Sequence, residues 1–148
     1  MKEITVDIRF ISPCLGATRD PDDEGPVRFD KVGGDVMFPP SAWRKVLEKA
    51  AAGIGMPTAF VADIRIDPRV YRKPGTYRRY YTQDEYTIHE AYLPGECISL
   101  CVLLPDNVSE DLLLRLLDNV GRFWGMSPYG WKRHGFGRFE ILSPIQES

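Results

Sequence analysis

Thirteen residues, YGWKRHGFGRFEI from Tyr129 to Ile141, gather the side chains that hold a polyanion. Glycines at 130, 135 and 137 let a backbone take positive φ and turn its N–H groups toward phosphate oxygens. Lys132, Arg133 and Arg138 bring charge, His134 sits among them, and Trp131 offers a ring on which a base can stack. A plain helix-to-strand turn would use the same glycines, and one of Phe136 and Phe139, which flank Gly137, is expected in the core. A second stretch, PRVYRKPGTYRRYYTQDEY, sets Tyr71, Tyr77, Tyr80 and Tyr81 among the cations Arg69, Arg72, Lys73, Arg78 and Arg79, with no acid between 69 and 79. Aromatic platforms beside phosphate partners are what single-stranded nucleic acid needs. An exposed hairpin whose tyrosines pack on arginine stems has the same composition.

Residues for bond-breaking chemistry are thinner. His89 stands in TIHEAYL beside Glu90, and His134 in the glycine stretch, but neither accompanies a Ser or Cys motif with a paired base. His89 reads first as a strand histidine. The acidic run RDPDDEG, with Asp20, Asp22, Asp23 and Glu24, lacks the alternating oxygen ligands and fixed glycine of a calcium loop. There is no P-loop, dinucleotide fingerprint or zinc spacing. No metal and no cofactor are therefore expected. Cys14, Cys97 and Cys101 form no CxxC pair and are expected as free thiols in the interior.

The elements that must position these residues follow from periodicity. Ile4, Val6, Ile8 and Phe10 recur every second residue and predict a half-buried strand over 3–11. Residues 12–40 show no period and are expected as a long loop. Ser41 is the expected N-cap of a helix over 41–52, AWRKVLEKAAA, which stops at Gly53. Phe60, Ala62, Ile64 and Ile66 predict a second strand over 59–66. A basic, tyrosine-rich insertion, about 67–95, follows, with a hairpin expected around Lys73-Pro74-Gly75. Ile98, Leu100, Val102 and Leu104 predict a third, central strand. Ser109 caps a helix to Phe123 with an apolar stripe of Leu112, Leu113, Leu116, Leu117, Val120 and Phe123, and a last strand begins at Phe136.

That order predicts an α+β, ferredoxin-like (RRM-like) βαββαβ domain over 1–148: a four-stranded antiparallel sheet, two helices on one face, and a long insertion between the second and third strands. The topology serves catalysts, sensors and RNA-recognition modules alike and assigns no role. With 148 residues, 43% hydrophobic and 27% charged, the composition is that of one globular domain. A net charge of −2 argues against indiscriminate coating of nucleic acid, but the cations cluster and can steer a polyanion locally. No apolar run approaches a membrane span, and MKEITVDIRF alternates where a signal peptide would be continuously apolar. No membrane partner and a cytoplasmic location are expected.

Three pieces in order resemble a known family. SPCLGA after the first strand, FPPSAWRKVLEKA at the first helix, and a leucine helix followed by YGWKRHGFGRFEI are similar to the repeat-associated mysterious protein (RAMP) superfamily of CRISPR-associated RNA-binding proteins. Its backbone subunits carry a glycine near the end of the first strand, a proline-serine-lysine or arginine helix entrance, and a glycine-rich loop of the form G-x-x-x-x-G-F/Y-G-R. The resemblance implies binding of single-stranded guide or repeat RNA within a multi-subunit ribonucleoprotein. It implies that Gly130, Gly135, Gly137 and Arg138 lie against the RNA backbone, that Ser41, Arg44 and Lys45 lie near phosphate, and that Arg69 to Tyr92 form a thumb-like projection. The helix entrance departs from the family's usual Gly-Ser by having Pro40-Ser41. No histidine precedes His89, where repeat-processing relatives place one, and Asp30 and Asp35 only match in position the aspartate of target-cleaving relatives. Two alternatives stand beside RNA binding. One is a metal-independent endoribonuclease using His89 or His134 supported by Tyr80 or Tyr81; the other is a protein-interaction module or mimic of the same fold.

Overall fold

A computed structural model describes residues 1–18, 25–67, 69–70, 75–82, 85–126, 135–142 and 146–147. In chain order the elements are β1 (Lys2–Phe10), β2 (Cys14–Leu15), β3 (Asp30–Val32), β4 (Asp35–Met37), α1 (Pro40–Gly53), a 3-10 turn (Thr58–Val61), β5 (Arg65–Ile66) and β6 (Arg69–Val70). They continue with β7 (Thr76–Thr82), β8 (Glu85–Tyr92), β9 (Cys97–Leu104), α2 (Glu110–Asn119), a π-helical turn (Val120–Trp124), β10 (Phe139–Ile141) and β11 (Gln146–Glu147).

The alternation in β1 does what a half-buried strand requires: Ile4, Val6, Ile8 and Phe10 are fully buried, while Glu3, Thr5, Asp7 and Arg9 face outward. Between β9 on one side and β10 and β11 on the other, β1 is central, and β5 pairs with the far edge of β9. The order β10-β1-β9-β5 is antiparallel at each step. Helices α1 and α2 pack against each other, and Trp43, Leu47, Leu113, Leu116 and Leu117 join the buried side of β1 and β9 in one core. The result is a mixed α+β architecture of antiparallel sheets and two helices, consistent with the ferredoxin-like expectation. Two further three-stranded sheets, β2-β8-β7 and β3-β4-β6, are added to it.

Several local expectations need correction. Ser41 is not the N-cap: the helix starts at Pro40 with Pro39 before it and no capping side chain, because proline's fixed φ suits the first helical position. The second strand is not an eight-residue run. Pro57 opens the 3-10 turn, Val61 and Ile64 are buried at helical spacing, and Phe60 and Ala62 are exposed, so only Arg65–Ile66 pair as strand. Residues 12–40 hold structure of their own, including a β3–β4 hairpin closed by Gly33 and Gly34 at φ of 58° and 89°. Those are the positive angles of a type I′ turn. The helix α2, capped by Ser109 Oγ accepting from Leu112 N–H at 3.1 Å, gives way to π winding at Val120. That slips the helical phase, so Phe123 leaves the stripe for solvent. The last strand begins at Phe139 rather than Phe136.

Candidate nucleic-acid interface

Within the basic, tyrosine-rich insertion β7 and β8 pair antiparallel as a hairpin; the hairpin expected around Lys73-Pro74-Gly75 falls on Lys73 and Pro74, outside the described residues. Residues 71–74, with Arg72 and Lys73, lie outside the described residues, and Arg69 falls in β6. Strand alternation sorts the rest. Tyr77, Arg79 and Tyr81 project to one side, opposite Glu90, Ile88 and Tyr86 of β8. All of these except Glu90 are exposed, with Tyr86 at 71%, and the Tyr81 and Tyr86 rings meet edge to face at 5.0 Å. Three phenols, an isoleucine and a guanidinium thus form one open strip. Arg78 and Tyr80 take the other side. Arg78 is exposed, whereas Tyr80 packs on His89 at 6.4 Å and Phe136 at 5.6 Å, and burial raises its phenol pKa. Tyr80 is therefore a packing residue rather than part of the platform. Sequence reasoning did not single out Tyr86 and Ile88, although the period of two in EYTIHEAY would have paired them with β7.

Polar groups at the base of the hairpin fasten it. His89 is buried; its Nδ1 donates to the Gly16 carbonyl at 2.8 Å, which leaves Nε2 to accept from the Thr82 hydroxyl at 3.4 Å. With both ring nitrogens engaged in the interior, His89 serves as a brace. Glu90 is buried beside it, accepting from Phe29 N–H at 3.0 Å, Lys31 Nζ at 2.6 Å and Gly75 N–H at 3.2 Å. One carboxylate thereby ties β8 to the segments before β7 and around β3. Tyr92 then stacks with Phe29 at 4.9 Å and Phe10 at 5.8 Å, running the hairpin into the main core.

In the C-terminal glycine stretch, Gly130, Trp131, Lys132, Arg133 and His134 lie outside the described residues. The remainder is a joint. Gly137, at φ of 75°, donates its N–H to the Pro13 carbonyl at 2.7 Å, and Arg138 N–H donates to Ser12 Oγ at 2.9 Å. Arg138 Nε donates to the Arg122 carbonyl at 3.0 Å, at the π-helical turn. The backbone N–H of Gly137 is thus committed within the protein. Gly135 takes a φ of 72°, with no atom of the described residues within 4 Å of where a β-carbon would stand.

Ser41, Arg44 and Lys45 are exposed together on the first turns of α1. Asp30 accepts a hydrogen bond from Thr18 Oγ1, and Asp35 pairs with Val32 across the β3–β4 hairpin. The open face of the main sheet carries Glu3, Asp7, Cys97, Ser99, Cys101 and Leu103 and no aromatic ring on β1 or β9, so it offers no stacking platform. Ser99 Oγ donates to Asp7, and Arg9 is paired with Glu140. No group of three or more His, Cys, Asp or Glu side chains among the described residues could hold a metal ion, and no described helix is long and apolar enough to cross a membrane.

No protein-family model and no curated protein sequence matches the chain. Among solved structures, the crystal structure of Csc2 from Thermofilum pendens is similar over 99% of this chain and 66% of that one, at 13% identity and a TM-score of 0.49. The chain thus spans slightly less than two thirds of that structure's length.

Proposed function

We propose that the protein binds single-stranded RNA, a guide or repeat RNA, as a subunit of a CRISPR-type ribonucleoprotein. The observation that carries the reading is the exposed strip of Tyr77, Arg79, Tyr81, Tyr86 and Ile88 on a hairpin braced from below by His89 and Glu90. Phenol rings take base faces of any sequence, and Arg78 and Arg79 supply phosphate partners. Arg69, Arg72 and Lys73 extend the same basic segment. Gly130, Trp131, Lys132, Arg133, His134 and Gly135 form the second contact, with Ser41, Arg44 and Lys45 at the entrance of α1 as a third. The fold we infer beneath them is the four-stranded βαββαβ core with the hairpin as its insertion. The CRISPR assignment rests on the ordered resemblance of SPCLGA, FPPSAWRKVLEKA and YGWKRHGFGRFEI to the RAMP superfamily. Binding is favoured over cutting because His89 is spent on the Gly16 carbonyl and Thr82.

Fluorescence anisotropy with a labelled single-stranded RNA tests this. Replacing Tyr77, Tyr81 and Tyr86 together by Ala should weaken binding at least about tenfold, since each stacked base contributes ~1–3 kcal/mol, with the melting temperature unchanged. Parental affinity in that well-folded variant would overturn the reading. The same RNA incubated without metal should stay intact; cleavage would move the assignment to the endoribonuclease alternative.

A further inference from the structure

A cleft of about 840 Å³ lies at the edge of the main sheet, away from the hairpin, between the start of α1 and β5. Its walls come from both sides of the sheet. Trp43, Leu47 and Ile64 line it from the side that α1 covers, and Glu3, Cys101 and Leu103 from the open side. Only something placed at the edge itself can touch both. The backbone there is prepared for an addition. Asp67 donates its N–H to the Cys101 carbonyl at 2.9 Å, so Arg65 and Asp67 turn their main-chain groups toward β9, and Ile66 between them turns its N–H and C=O outward. No strand among the described residues pairs with that edge. Trp43, 2% exposed, keeps an indole N–H without an acceptor among the described residues.

We propose that this edge takes an extended segment of a partner protein as an added strand. Successive residues of such a segment point to opposite faces. One set would be apolar and lie over Leu47 and Ile64, beside the buried Trp43 indole. The alternate set would be basic or polar and lie over Glu3 and Leu103. RNA fits less well: although Ser41 and Arg44, proposed above as an RNA contact, also line the cleft, so do the Glu3 and Asp63 carboxylates, and the one ring present is buried. The partner's identity as another subunit rests on the proposed function; the edge geometry does not.

The test titrates the isotope-labelled full chain with acetyl-Lys-Val-Lys-Val-Lys-Val-amide and follows amide and indole resonances. The expected result is that the Ile66 amide and Trp43 indole signals move saturably together, and that exchange at the Ile66 amide slows by about tenfold or more, as pairing shields an open amide. Leu103→Lys, which sets like charge against the peptide's lysines on the exposed side, should weaken that response and leave the β7–β8 signals unchanged. Shifts confined to other residues, or none at millimolar peptide, would overturn the proposal. So would protection of Ile66 that appears without peptide as protein concentration rises, which assigns the edge to a second copy. A response of the same two groups to oligouridylate but not to peptide would assign it to RNA, whereas loss of RNA binding elsewhere would leave this edge unaffected.

Discussion

At the scale of single residues, environment separates side chains that composition treats alike. Tyr80 and Tyr81 are neighbours of one type, but Tyr80 packs on Phe136 while Tyr81 is 48% exposed. Tyr80→Ala should therefore lower stability by roughly 1–3 kcal/mol, measured by urea unfolding, because its packing against Phe136 and His89 is removed. Tyr81→Ala should leave stability near parental and weaken RNA binding. The thiols separate in the same way. Burial, followed by the hydrogen bond to Glu3, pushes Cys101 up to about 11. A thiol raised in the folded state favours the neutral form there, so its contribution to stability is complete below the unfolded value and is lost as pH rises from there through about 11. Iodoacetamide, which attacks the thiolate, should label exposed Cys97 faster than Cys101 at pH 8. Glu3→Gln, by removing the neighbouring carboxylate, should bring the Cys101 labelling curve to lower pH.

At the scale of elements, the joints matter more than the elements they join. Gly121 sits in the π-helical turn, where Ala normally improves a helix by up to about 1 kcal/mol. Here a β-carbon would stand 2.3 Å from the Phe139 carbonyl oxygen of β10. Gly121→Ala should instead destabilise by ~1–3 kcal/mol because packed backbone cannot yield cheaply; a melt above the parent's would refute that close approach. The Glu90 carboxylate is a joint of the polar kind. Glu90→Ala leaves the N–H groups of Phe29 and Gly75 and the Lys31 ammonium without their acceptor. That should cost ~2 kcal/mol or more, each abandoned donor bringing its own desolvation penalty. Amide exchange should accelerate first in β7 and β8 if the carboxylate anchors the hairpin rather than the whole core.

At the scale of the molecule, one cluster from β1, β9, α1 and α2 holds the protein while the hairpin presents the proposed interface. Leu116→Ala, at a fully buried site, should cost ~2–5 kcal/mol and lower the melting temperature without changing which RNAs are bound. Arg78 and Arg79 changed together to Ala should do the opposite. They should flatten the dependence of log affinity on log salt by ~0.7 for each phosphate that is no longer neutralised, with no change in melting. A slope equal to the parent's would show that the cations on this hairpin do not touch phosphate.

Periodicity alone was enough for the elements whose repeat is long and uninterrupted: β1, β9 and the leucine helix. A period of two or 3.6 fixes which residues share a face, and burial of that face then follows. It could not say which face of the hairpin would be covered, because the covering groups, Phe136 against Tyr80 and Gly16 against His89, come from residues about 56 and 73 positions away. For the same reason the glycine stretch looked like one ligand loop. The Pro13 carbonyl, on the far side of the chain, fastens Gly137, while no described residue crowds Gly135 two residues earlier. Short irregular elements escaped because their determinants are not periodic. Residues 59–66 alternate well enough to predict a strand, but Pro57 and the burial of Val61 with Ile64 accompany a 3-10 turn over Thr58–Val61 that leaves only Arg65–Ile66 paired as strand. Local chemistry decided what each segment could become, and contacts between distant segments decided which side chains were left facing solvent.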